Sequence, residues 1–231
     1  MKAALLAGAQ ALGLHLNDGQ AGQLLAYLRL LAKWNRVYNL TAVRDGADML
    51  TRHVLDSLAV ALPLKNHAQG RALKLLDAGS GGGLPGVALA ICCPEMQVTC
   101  ADAVAKKAAF IQQAAATLKL PHLRGLHARV ETLAGPFDVI TSRAFASLAD
   151  FTRWTAQALA QDGVWLAMKG RHPADELAAL PPEVQVFHVE PLSVPHLQAE
   201  RCLIWLRKAE PAEKSPSSSR NHAYSCPAFS A

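Results

Sequence analysis

The stretch Asp77-Ala78-Gly79-Ser80-Gly81-Gly82-Gly83-Leu84-Pro85-Gly86, arriving directly after the apolar run Leu73-Lys74-Leu75-Leu76, decides how this chain folds. It puts five glycines into the eight positions from Gly79 to Gly86. An ordinary turn needs one or two. Stripping nearly every Cβ from a turn makes sense where a ligand lies against the backbone and the chain reverses sharply. The apolar run predicts a strand and the residues from Gly86 onward predict a helix, so the loop joins the two. The free N–H groups and positive end of that helix suit an anionic or polar ligand group.

Downstream of the loop the hydrophobic rhythm alternates. Strands are predicted over residues 73–78, 97–101, 124–128, 137–142, 164–169, 184–190 and 202–207. Helical patterns fall between them over residues 86–93, 104–118, 148–159 and 174–180. Strands linked by crossover helices give an α/β fold with a parallel, doubly wound sheet, here of seven strands. No long helix separates the last two strands, which predicts an antiparallel hairpin at that edge.

Upstream, residues 2 to 63 read as helices. Leu24, Leu25, Leu28, Leu31 and Ala32 recur at helical spacing, and the pattern runs on through Trp34 and Val37. A second amphipathic stretch spans Ala47 to Leu62, with Leu50, Val54, Leu58 and Ala61 on one side, and Pro63 to Arg71 reads as a connection. The expected organisation is an N-terminal helical extension over 1–70, a ligand-binding α/β domain over 71–208 and a disordered tail over 209–231. The tail holds Pro211, Pro216, Pro227 and the run Ser217-Ser218-Ser219 with few apolar residues.

Bulk properties narrow the class. With 231 residues, 51% of them hydrophobic, the chain can bury one substantial core. It has no apolar run long enough to cross a bilayer, so no membrane partner is expected. Met1 to Ala11 imitates a signal peptide weakly, with a single Lys and a short apolar stretch, and reads instead as the opening turns of a helix. The five cysteines are odd in number and form no C-x-x-C pair, so neither a metal site nor a disulfide framework is expected. Reduced, buried thiols and a cytoplasmic location follow. Net charge is +5, and the charged residues of the tail cancel, so the excess sits on the folded body and permits a nucleic-acid partner.

Two ligands fit the glycine loop. Gly81-Gly82-Gly83-Leu84-Pro85-Gly86 satisfies the G-x-G-x-x-G dinucleotide pattern, a weak match in so glycine-rich a loop. Asp77-Ala78-Gly79-Ser80-Gly81-Gly82-Gly83 also satisfies D-x-G-x-G-x-G, with an acid at the strand end. That pattern resembles the S-adenosylmethionine loop of class I methyltransferases, where Asp77, Gly79 and Gly81 would serve the amino-acid moiety. Asp102, 23 residues after Gly79, sits where a carboxylate accepts both ribose hydroxyls, equally useful to either cofactor. The expected terminal hairpin favours the methyltransferase.

Further landmarks occur in order: Trp34-Asn35-Arg36-Val37-Tyr38-Asn39-Leu40-Thr41, Arg52-His53-Val54-Leu55-Asp56-Ser57-Leu58, the glycine loop, Lys106-Lys107, Ser142-Arg143-Ala144 and Lys169-Gly170. Together they resemble the family of ribosomal RNA small-subunit methyltransferase G, also called glucose-inhibited division protein B, over residues 15–208. The resemblance implies methyl transfer from S-adenosylmethionine to N7 of a guanine in the 530 loop of 16S ribosomal RNA, free or in the small ribosomal subunit. It implies cofactor contacts at Gly79, Leu84, Val130, Glu131 and Arg143 and a Rossmann-like class I fold; a monomer is expected.

Guanine N7 carries an available lone pair and no proton, so its methylation needs no general base and no proton-abstracting residue is expected. The base must still be held. Arg143 and Lys169, at the ends of the fourth and fifth strands, and Arg129, beside Val130, are the expected substrate-positioning cations. Lys106-Lys107 suits either RNA contact or plain exposure. His53 and Asp56 suit a local hydrogen bond or closure of the cofactor pocket, and Trp34 with Tyr38 suits core packing better than base stacking. The rival functions are methylation of another RNA or a small molecule, RNA binding without turnover, and a dehydrogenase.

Overall fold

The computed structural model describes residues 1–210, so the expected tail over 209–231 lies almost wholly outside the described residues. The chain opens with helices α1 (Lys2–Ala11), α2 (Asp18–Tyr38), α3 (Gly46–Met49), a π-helix (Leu50–Leu55), α4 (Asp56–Leu58) and α5 (Ala61–Ala68). Then follow β1 (Lys74–Ala78), α6 (Gly86–Cys92), β2 (Gln97–Asp102), α7 (Ala105–Thr117), β3 (Leu123–His127), a 3-10 turn (Val130–Thr132) and β4 (Phe137–Arg143). The chain continues with α8 (Leu148–Thr155), β5 (Leu159–Lys169), α9 (Ala174–Ala178), β6 (Val184–Pro191) and β7 (Cys202–Lys208).

The seven strands form one sheet in the order β3-β2-β1-β4-β5-β7-β6. Strands β1 to β5 are parallel to one another, and β7 runs antiparallel to both β5 and β6. The expected doubly wound sheet with a terminal hairpin is therefore present. Strand order reverses beside β1, where β2 and β4 flank it. That switch point opens a crevice beyond the carboxyl ends of the strands, the place where open α/β sheets take ligands.

Alternation along the strands builds two apolar layers. Leu75, Val98, Cys100, Val139 and Leu166 face one way and join a cluster with the N-terminal helices, α6 and α7. Leu76, Ala101, Ile140, Trp165 and Ile204 face the other way and pack with Leu148 and Phe151 of α8. Each fully buried Leu, Val or Ile contributes about 1.5–3 kcal/mol by leaving water.

Helix α2 is the largest N-terminal element. Asn17 caps it through a reciprocal pair, its side chain accepting from Gln20 N at 2.8 Å while Gln20 Oε1 accepts from Asn17 N at 3.1 Å. It buries Leu24, Tyr27, Leu28, Leu31 and Asn35, and ends at Asn39 in the left-handed region. Gln20 donates to the Ile91 carbonyl and Gln23 to that of Leu118, tying α2 to the ends of α6 and α7.

Three expectations on local structure need correction. Pro63 lies inside α5 rather than in a connection, at its third residue, where a backbone N–H would have no helical partner to lose. The helix expected over 47–62 is interrupted by the π-helical turns and ends at Leu58, with α5 as a separate element. Strand β5 begins at Leu159, five residues early, because its pairing with Phe137 precedes a register shift between Phe137 and Val139; α8 accordingly stops at Thr155.

Candidate active site

The glycine loop sits at the switch point between β1 and α6. Its backbone is pinned from below. Ser80 N donates to the Ala101 carbonyl at 3.1 Å, and Gly83 N and Leu84 N both donate to the Ser80 carbonyl. Two acids complete the scaffold. Asp77 Oδ2 accepts from Gly86 N at 2.8 Å, and Asp102 Oδ2 accepts from Gly81 N at 2.9 Å while its Oδ1 accepts from Val104 N at 2.8 Å. Lys107 Nζ stands 3.7 Å from Asp102 Oδ2.

Gly79 and Gly81 both take left-handed backbone, in different surroundings. Gly79 has φ +66°, and a Cβ there would lie 2.1 Å from the Phe145 ring. Gly81 has φ +58° with nothing within 4 Å of a Cβ position, so its bare backbone faces open space.

Above the loop lies a cavity of about 560 Å³. Gly79, Gly81 and Leu84 line it, together with Leu40, Thr41 and Val43 from the segment after α2, Arg52, His53 and Asp56 from the π-helix and α4, and Arg143, Lys169 and Arg201. The π-helix thus puts Arg52 and His53 in the cavity wall; single π-turns are frequent at functional sites.

The cationic wall is organised by one carboxylate. Asp56, 3% exposed in its side chain, accepts from Arg143 Nη1 on Oδ2 and from Arg201 Nε on Oδ1, each at 2.8 Å. Arg143 Nη1 also donates to the Arg52 carbonyl at 3.0 Å. Two guanidinium groups share one carboxylate, leaving a net positive wall suited to an anionic group. His53 Nε2 meets Thr41 Oγ1 at 2.7 Å, and its Nδ1 is buried without a protein partner among the described residues. Burial, and then the charge of Arg143, lower the His53 pKa and hold the ring neutral.

Lys169 reaches into the same cavity but is engaged. Its Nζ donates to the Ala146 carbonyl at 2.9 Å and to both Glu176 oxygens, at 3.0 and 2.7 Å. Asp77 lies beneath the loop rather than in the cavity wall. It is fully buried, its Oδ1 has no partner among the described residues, and burial pushes its pKa up to about 7. The expected reception of an ammonium group by Asp77 has no direct route in this geometry, since the glycine loop stands between. Val130 is buried in the 3-10 turn after β3, with Glu131 exposed beside it and Arg129 exposed just before; none of the three lines the cavity.

Some features escaped the sequence reading. Arg201 carries no motif and lies 145 residues from Asp56, its partner. Tyr27 reads as a core residue, yet its hydroxyl donates to the Gly82 carbonyl at 2.5 Å. Trp34 does pack on the core, with its ring 5.4 Å from that of Phe110, whereas Tyr38 is 40% exposed.

The residues present fit S-adenosylmethionine. Gly81 presents bare backbone to open space, and Asp102 holds the loop through Gly81 N and the turn after β2 through Val104 N while keeping lone pairs for hydroxyl groups.

Comparison with known proteins agrees with this geometry. The family model described as rRNA small subunit methyltransferase G matches residues 20–204. A relative from Acidovorax ebreus (strain TPSY), named ribosomal RNA small subunit methyltransferase G, is 67% identical over 212 residues, covering 88% of this chain and 94% of its own. One of the same name from Paracidovorax citrulli (strain AAC00-1) is 60% identical over 224 residues, covering 92% of both. Among solved structures, a Burkholderia thailandensis 1,6-didemethyltoxoflavin-N1-methyltransferase holding S-adenosylhomocysteine superposes with a TM-score of 0.54 at 17% identity, over 80% of this chain and 90% of that one. That likeness concerns the fold.

Proposed function

We infer the reaction from the premise that this chain belongs to the rRNA small subunit methyltransferase G family: it moves a methyl group from S-adenosylmethionine to N7 of a guanine in the 530 loop of 16S ribosomal RNA. The observation that carries the reading is the cavity at the switch point, with a glycine loop held by Asp102 on one wall and a two-arginine cationic wall facing it.

In this reading Gly79, Gly81, Leu84 and Asp102 hold the cofactor, with Val130 and Glu131 toward the adenine end. Asp77 acts through the loop by fixing Gly86. When bound, S-adenosylmethionine supplies an electrophilic methyl group on a sulfonium. The chain's own residues orient the acceptor and exclude water. Guanine N7 needs no proton removed, so no side chain serves as general base, and placement supplies the acceleration. Arg143 and Lys169 are the cavity cations closest to the strand ends. Arg143 keeps donors beyond the Nη1 that meets Asp56 and Arg52, and one of them suits guanine O6 while N7 stays free. Lys169, its three N–H groups held by Ala146 and Glu176, contributes charge at that edge. Arg129, outside the cavity, suits a phosphate. The helices through residue 70 serve RNA docking and residues 71–208 serve the cofactor. The ribosomal substrate makes the cytoplasm the place of action.

The test is transfer of labelled methyl groups to unmodified 16S rRNA and to 30S particles, followed by borohydride–aniline cleavage. A single cut in the 530 loop fixes reaction, base and position together. Cofactor binding without label on either substrate moves the acceptor to another RNA or a small molecule.

A further inference from the structure

Two segments of this chain carry cations and no carboxylates. Residues 19–44 hold four Lys and Arg, and residues 103–130 hold five, with no Asp or Glu in either. The fold lays them side by side, because most of the first is α2 and the second contains α7. The two helices run antiparallel. Gln23 reaches the Leu118 carbonyl at one end, and Trp34 packs edge-on against Phe110 toward the other.

Arg29, Lys33 and Arg36 are four and three residues apart, so they fall within roughly 60° of one another around the helix axis. All three are exposed, while Tyr27 and Leu31 are buried on the far side. None of the three enters an ion pair among the described residues. Like charges at these spacings work against the helix that carries them. Only Arg36, in the last turn of α2, is placed to favour the helix. The stripe's position is informative: the carboxyl end of α2 runs into Leu40, Thr41 and Val43 of the cavity wall, and exposed Lys106 opens α7 at the same end.

We propose that the stripe Arg29–Lys33–Arg36, continued by Lys106, holds the phosphate backbone of the ribosomal RNA that flanks the methylated guanine. The proposal rests on the rRNA reading above and adds the surface that meets the substrate outside the cavity. Backbone contacts of this kind set position and orientation, and the cavity selects the base. Charge complementarity names the partner: three to four cations outside any ion pair among the described residues, on two segments without carboxylates, match a polyanion.

The experiment measures binding of unmodified 16S rRNA across a series of KCl concentrations, for wild type, the triple variant R29A/K33A/R36A, the charge-keeping variant R29K/K33R/R36K and R153A. The alanine variant should lower the slope of log K against log salt by about 2 to 3, one increment for each lost phosphate contact. The charge-keeping variant should retain the wild-type slope, and so should R153A, which removes a cation from α8 on the opposite layer. An unchanged slope in the alanine variant overturns the proposal, as does an equal fall in R153A. A fall in the charge-keeping variant also overturns it, by assigning the effect to packing. Weakened binding to 30S particles with unchanged binding to naked rRNA would place a ribosomal protein on this face instead. The reading beneath is tested separately: wild type that leaves rRNA unmethylated sinks the rRNA assignment, whereas methylation with an unchanged salt slope sinks only the stripe.

Discussion

Tyr27 donates its hydroxyl to the Gly82 carbonyl across 55 residues of sequence, from a side chain with no solvent exposure. Burial raises the phenol pKa well above its ordinary value, so the group remains a donor throughout the accessible pH range. The long N-terminal helix thereby fixes the middle of the glycine loop.

Tyr27→Phe should leave the Gly82 carbonyl buried without its partner. The expected loss is about 1–3 kcal/mol of stability, read as a fall in urea midpoint. Affinity for S-adenosylmethionine should fall with it, read by calorimetry. Unchanged affinity would show that the loop keeps its shape without the hydroxyl.

Two of the loop's three positive-φ glycines, Gly79 and Gly81, should separate folding from binding. Gly79→Ala drives a Cβ into Phe145 and should cost both stability and cofactor affinity, and Gly79→Asp more so. Gly81→Ala meets open space, so it should cost about 1–2 kcal/mol for the left-handed backbone and lose affinity out of proportion to stability. Thermal midpoints beside cofactor dissociation constants distinguish the two; equal ratios for both variants would refute the distinction.

Asp56 should behave as the hub of the cationic wall. Asp56→Ala frees two guanidinium groups at once, and methyl transfer should fall at least about tenfold, the equivalent of 1.4 kcal/mol. The stability loss should stay below the roughly 3–5 kcal/mol expected of a fully buried pair, because Arg143 and Arg201 keep 19% and 23% of their side chains exposed. In a double-mutant cycle, Arg143→Ala and Arg201→Ala should be non-additive for transfer. Simple additivity would mean that the carboxylate does not couple them.

Asp77 should make stability depend on pH. Its pKa rises from 3.8 unfolded to about 7 folded, mainly through burial, so the neutral acid is the form the fold accepts. The stabilisation is complete below pH 3.8 and is lost as pH climbs through 7. Asp77→Asn mimics the neutral acid. Its stability relative to wild type should rise between pH 4 and pH 7 and level off above, as followed by denaturant midpoints. A difference independent of pH would show that the carboxyl ionises in the fold as it does in water.

The parts of the fold legible in the sequence were those set by local periodicity. The strand–glycine loop–helix junction, the alternation after Leu73 and the terminal hairpin all follow from patterns within a few residues of one another. The misplaced boundaries have a common origin in tertiary context. The strand expected from Val164 starts earlier, because pairing of Leu159 with Phe137 draws Gln161-Asp162-Gly163 into β5. Pro63 reads as a breaker, yet it falls where a helix tolerates it. The π-turns around His53 have no sequence signature at all.

The site divides the same way. Gly79 and Gly81 announce themselves through composition, Leu84 only through the family resemblance, and Arg143 and Lys169 through their place at strand ends. Their partners do not. Asp56 to Arg201 spans most of the chain, and the Glu176 that occupies Lys169 comes from a short helix with no distinguishing pattern. A motif marks where a side chain starts, and only packing decides what it touches.

The apolar cluster on one face of the sheet does not stop at the boundary between the N-terminal helices and the strands. Leu24, Leu31 and Leu58 share it with Val87, Ile111 and Val139. Removing the helices would strip the cofactor domain of the cover on that face. An RNA-docking module joined by a linker can be exchanged for another during evolution; one that shares its core with the catalytic sheet cannot. With the docking role proposed for the helices, changes in recognition arise by substitution on their outer surface, residue by residue, beneath which the common core stays fixed.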